Sequence, residues 1–183
     1  GPYRPRSTAW RQYRELCEFP VCGEGAMRDK GTYHLKEYLA LEARALESLL
    51  ENDGEKGRDV VETLLFLLRG VVVHDDYMKA RFSGHLIFLA SEVYDWCYDL
   101  LREEDKYHIA CAGTSKICKF MLYPDFPPVG GGVMVGNMCG SIFLIAWASM
   151  SIAIYDEYPD VYNVAAGRIL QYIVPAVNLF HRS

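Results

Sequence analysis

Few side chains in this 183-residue chain have the type and spacing that chemistry needs. Asp156 and Glu157 resemble the carboxylate pair that hydrolyses glycosides. Consecutive residues of a helix point in different directions, so this pair reads instead as cap and solvation of a helix end. His74-Asp75-Asp76 carries metal-ligating atoms, but no second cluster joins it and His85 alone does not change that. It reads as a surface loop, and neither a metal nor any other cofactor is expected. Trp96 and Trp147 have rings that could stack on sugars, yet at helical spacing among apolar neighbours each reads first as core. Gly130-Gly131-Gly132 is followed by no Lys-Ser/Thr and no G-x-G-x-x-G, so it reads as a flexible loop at a cleft rim. Gly136-Asn137 stands just before a long apolar run, where asparagine is a preferred helix cap and its amide a neutral donor.

Composition narrows the field. The net charge of -5 argues against a nucleic-acid partner, whose binding needs clustered cations. Half the residues are hydrophobic, at 51%, which with this length fits one domain with a real core. Thirteen tyrosines and three tryptophans suit either cores or sugar clefts. None of the six cysteines forms a C-x-x-C pair, so zinc is not expected; the even count permits disulfides, but four of the six lie within helical patterns, where buried free thiols are the commoner reading. No signal peptide is visible, and Gly1-Pro2 reads as the scar of a cleaved tag.

The elements follow from periodicity. Residues 1–32 form a lead-in, in which Ser7 caps a short helix carrying Trp10, Tyr13, Leu16 and Cys17. Its arginines, Arg4, Arg6, Arg11 and Arg14, read as a solvated face, with docking of an acidic polymer the sharper alternative. Residues 33–183 form the helical domain. Its helices are expected over 33–51 and 55–69, joined by the turn Asn52-Asp53-Gly54, then over 82–101 and in a next helix reaching 121, whose first turn the acidic Glu103, Glu104 and Asp105 suit. The run 141–155 is apolar on every side, which predicts a central helix buried all round, too short for a membrane span. Pro159 opens a last helix that Pro175 ends or kinks. The expected class is all-α: antiparallel helical hairpins forming a partial (α/α) toroid.

Two stretches carry a family resemblance. Ser91-Glu92-Val93-Tyr94-Asp95-Trp96-Cys97-Tyr98-Asp99-Leu100-Leu101 and Ile152-Ala153-Ile154-Tyr155-Asp156-Glu157-Tyr158-Pro159 resemble stretches of the heparinase II/III-like polysaccharide lyases. The resemblance spans roughly residues 33–180. It implies an α/α toroid that takes uronate-containing polysaccharide and cleaves it by β-elimination. That reaction needs a donor holding the uronate carboxylate, a base for the C5 proton and an acid for the leaving oxygen. By the resemblance, Asn137 matches the carboxylate-holding role and Gly136 belongs to the same turn; Trp96 and Trp147 are substrate-binding candidates by their ring chemistry alone. A periplasmic or secreted location is implied as well.

Departures from the family pattern limit this. Ile142, Ile145 and Ala146 stand where the family carries polar side chains on the central helix, and its catalytic tyrosine and histidine would lie beyond Ser183. Neither Tyr172 nor His181 is at a matching position. The catalytic set is therefore expected to be incomplete, as in a piece of a lyase, a relative without catalysis, or a shortened and altered scaffold. The alternative expectation is a non-catalytic or engineered helical scaffold. Its apolar cavity, lined by Met138, Ile142, Ile145 and Trp147, would hold a hydrophobic ligand or serve self-association.

Overall fold

Local chemistry sets where the helices begin and end. In the computed structural model, which describes residues 7–21, 35–70, 77–121 and 138–182, Ser7 Oγ accepts the Trp10 amide at 3.1 Å and opens α1 (Thr8–Cys17). α2 (Leu35–Glu51) stops at Asn52, whose φ of 54° is left-handed, a conformation asparagine tolerates. Asp53 Oδ1 then accepts the Lys56 amide at 3.0 Å and starts α3 (Gly54–Gly70). α4 (Tyr77–Trp96) passes through one 3-10 turn (Tyr98–Leu100) into α5 (Glu103–Met121). After α6 (Met138–Ala153) come α7 (Pro159–Arg168), a π-turn (Ile169–Ile173) and α8 (Val174–Arg182). Pro175 has no N–H to return to the preceding turn, and the chain widens into the π-turn there. Among the described residues there is no strand, and no helix is long and apolar enough to cross a membrane.

Hairpins stack into two layers. Ser48, late in α2, lies 3.9 Å (Oγ to Sγ) from Cys97, just past α4, so these helices end together and run parallel. Gly84, early in α4, faces Ile142, early in α6, while Trp96 and Ala153 share a groove at the far ends. α6 is therefore parallel to α4 as well. Behind this front layer α3 and α5 run the opposite way. Arg58 and Asp105, each near its helix start, pair at 2.8 Å, and Lys106 reaches to 3.8 Å from Glu157, beyond the end of α6. Between the layers Leu64, Ile87, Tyr94, Ile109, Phe143 and Trp147 are buried, each large side chain stabilising by about 1.5–3 kcal/mol. α1 packs on α2, where Arg44 donates to the Cys17 carbonyl at 2.9 Å and the Phe19 carbonyl at 2.6 Å.

The structure corrects three expectations. α4 begins at Tyr77 rather than at 82 and ends at Trp96. α6 is not covered on every side, since Ile145 is 51% and Ile152 62% exposed. Arg14 is not simply solvated, because it pairs with the buried Glu47, which also takes Lys56 at 2.9 Å.

Asp105 is 1% exposed and ties α3 to the start of α5 within the back layer. Its Oδ2 accepts the Arg102 amide and Nε, both at 3.0 Å, and Arg58 Nη1 at 2.8 Å. Hydrogen bonds from Arg102, with help from Arg58, hold its carboxyl well below the usual range. A depressed carboxyl contributes in full above its unfolded pKa, about 4, and loses that contribution as pH falls toward the folded value. Asp105→Asn should cost about 3 kcal/mol in urea unfolding at pH 7, and the gap from wild type should narrow below about pH 4. At Gly84 an added Cβ would meet Ile142 Cγ2 at 2.6 Å. Gly84→Leu should therefore destabilise by about 1–3 kcal/mol. A Cβ at Gly167 meets nothing within 4 Å, so Gly167→Ala should gain up to about 1 kcal/mol in the same assay.

Candidate functional site

Three parallel helices side by side leave furrows between them, and the front layer carries a continuous one. Its first stretch, 360 Å³, is mostly apolar: Leu35, Leu39 and Glu42 come from α2, His85 and Phe88 from α4, Ile142 and Ile145 from α6. Phe88 also borders the next stretch, with Glu92, Trp96 and Ser149. Asp95, Ile152 and Ala153 then lead into a wide end of 810 Å³ with Tyr98, Asp99, Tyr155, Asp156, Glu157 and Tyr162. No Lys or Arg is among the described residues lining the groove.

Carboxyls dominate its electrostatics. Burial, then the charge of Glu42, pushes Glu92 up to about 7, and burial raises Glu42 too. Glu92 Oε2 is buried with no hydrogen-bond partner among the described residues. Near neutral pH this carboxyl is partly protonated and can donate as well as accept. At the wide end Tyr98 Oη donates to Glu157 Oε1 at 2.6 Å, and Lys106 Nζ sits 4.0 Å above the Tyr98 ring. Tyr155 and Tyr162 meet edge to face, centroids 5.2 Å apart.

The residues singled out by sequence fare unevenly. Asn137 and Gly136 lie outside the described residues, as do Gly130-Gly131-Gly132 and His74-Asp75-Asp76. Trp96 is half-buried in the groove wall. Trp147 is 2% exposed and belongs to the core, so it offers no ring face to a sugar and does not line the apolar cavity. Its position on α6 turns it toward the back layer, whereas Ile142 and Ile145 do line the groove. Asp156 and Glu157 stand in the turn after α6, and off the helix both reach the same groove end. Cys17, Cys97 and Cys111 form no disulfide, and no group of three metal-ligating side chains occurs among the described residues.

Sequence reasoning missed Glu42 and Glu92. The available signal was an acidic residue set between Leu89 and Val93 on an otherwise apolar stripe. It also missed the Tyr98–Glu157 bond, which no periodicity announces. Neither the models of known protein families nor the curated proteins yield a match to the chain.

A raised carboxyl favours the native state at low pH and loses that contribution as pH climbs through its folded pKa. Carbon-13 NMR should give Glu92 an apparent pKa of about 7, and Glu42→Gln should lower it. Glu92→Gln should melt higher than wild type at pH 8 and show little difference at pH 4.

Proposed function

We propose that the chain is a polysaccharide-lyase-like helical domain, a partial α/α toroid, whose groove seats a uronate-containing polysaccharide. The observation supporting this is the parallel front layer with its uncovered face, the arrangement a toroid's inner helices require. Trp96, Tyr98, Tyr155 and Tyr162 supply rings for stacking along the groove. Charge sets the polarity of the bound chain. Asp95, Asp99, Asp156 and Glu157 repel uronates at the wide end. Anionic groups therefore belong near the start of α6, where the helix dipole is positive and Asn137 immediately precedes Met138. Asn137 would hold one uronate carboxylate. No tyrosine and histidine pair stands in matching positions within residues 1–183, so the catalytic set of this stretch is expected to be incomplete.

A second reading, a non-catalytic scaffold with an apolar oligomer interface, is favoured by the exposure of Leu35, Leu39 and Ile145 at the other end of the groove.

Calorimetry with heparan and alginate oligosaccharides should detect binding at pH 5.5 that weakens at pH 8 as Glu92 ionises, with no ultraviolet signal from unsaturated uronate. Trp96→Ala should weaken binding about fivefold. Absence of binding at both pH values overturns the proposal, and product absorbance overturns its non-catalytic part.

A further inference from the structure

α8 has little to rest on. Among the described residues it packs on the π-turn from which it grows and makes no comparable contact with another helix. It is amphipathic, and Leu179 on it is 72% exposed, with Val174 and Leu170 exposed nearby. Past Asp160 the sequence contains no Asp or Glu, while Arg182 at the end of α8 supplies positive charge. The narrow stretch of the groove is its counterpart in both respects. Leu35, Leu39 and Ile145 stand exposed there, Glu42 lies among them, and Glu92 and Asp95 follow just beyond. A nine-residue helix is about 14 Å long, a length that fits over a few turns of neighbouring helices.

We propose that a second copy of this chain fills the groove: α8 of one molecule lies between α2, α4 and α6 of another, its apolar side on Leu39, Phe88 and Ile145 and its basic end toward Glu92 and Asp95. This is helix-in-groove recognition, with apolar anchors giving affinity and opposite charge giving orientation. It rests on the second reading above, the oligomer interface, and not on sugar binding. The two surfaces differ, so the contact is heterologous. A polysaccharide laid along the same groove would compete with it.

Analytical ultracentrifugation without polysaccharide, from micromolar to submillimolar chain, should show reversible association. Leu179→Asp and Ile145→Asp change exposed side chains, and circular dichroism should report both as fully helical. Each variant alone should sediment as monomer. Mixed, they should regain an equimolar complex, because the Ile145→Asp copy brings an intact helix and the Leu179→Asp copy an intact groove. Wild type that stays monomeric throughout overturns the proposal. So does association that survives Ile145→Asp, or a mixture of the two variants that remains monomeric. None of these outcomes bears on whether the groove binds uronates.

Discussion

The close approach of α4 to α6 governs the architecture. It is possible because residue 84 is glycine. A hydrogen there lets the α4 backbone lie against Ile142, where a methyl group would meet Cγ2 at 2.6 Å. The same device recurs on the other side of α6, where Gly113 of α5 faces Met150 Cγ, 2.7 Å from where a Cβ would stand. Gly57 of α3 meets Leu100 and Ser48 in the same manner. Interiors are packed to crystal-like density, so these glycines fix helix spacing as firmly as the large side chains beside them. Spacing in turn fixes the depth of the furrow on the free face.

Polar ties gather at one end of the layers. There the front helices finish and the back helices begin, and there Glu47 joins Arg14 and Lys56 while Asp105 joins Arg58 and Arg102. Arg58 also reaches the Leu100 carbonyl. Each cluster bridges different helices, so the end is cross-linked by groups whose separation would strand a charge. Toward the opposite end Leu35, Leu39, Ile142 and Ile145 line the groove. The groove inherits this asymmetry, running from apolar Leu35 and Ile145 through the titrating Glu92 to carboxylates and tyrosines.

Much of this was legible in the residues. Ser7 as a cap, the Asn52-Asp53 turn, the acidic first turn of α5 and Pro159 all act through local chemistry, which the chain states outright. What could not be read was register between distant segments. Fifty positions separate Glu42 from Glu92, and fifty-nine separate Tyr98 from Glu157. Asp105 looked like a helix-dipole residue, and its partner on α3 came only with packing. The apolar run of α6 misled for a related reason. Hydrophobicity on all sides reports what a helix could bury, not what its neighbours cover, and Ile145 and Ile152 face outward.

Parallel alignment of α2, α4 and α6 underlies the groove, its charge gradient and both proposed uses of it. Nuclear Overhauser contacts with selectively methyl-labelled isoleucine and alanine test it most directly. The expected result joins Gly84 to the Ile142 methyl groups and the Trp96 ring to the Ala153 methyl. Contacts from Gly84 to Ala153, or from Trp96 to Ile142, would place α6 antiparallel to α4 and contradict the layered arrangement.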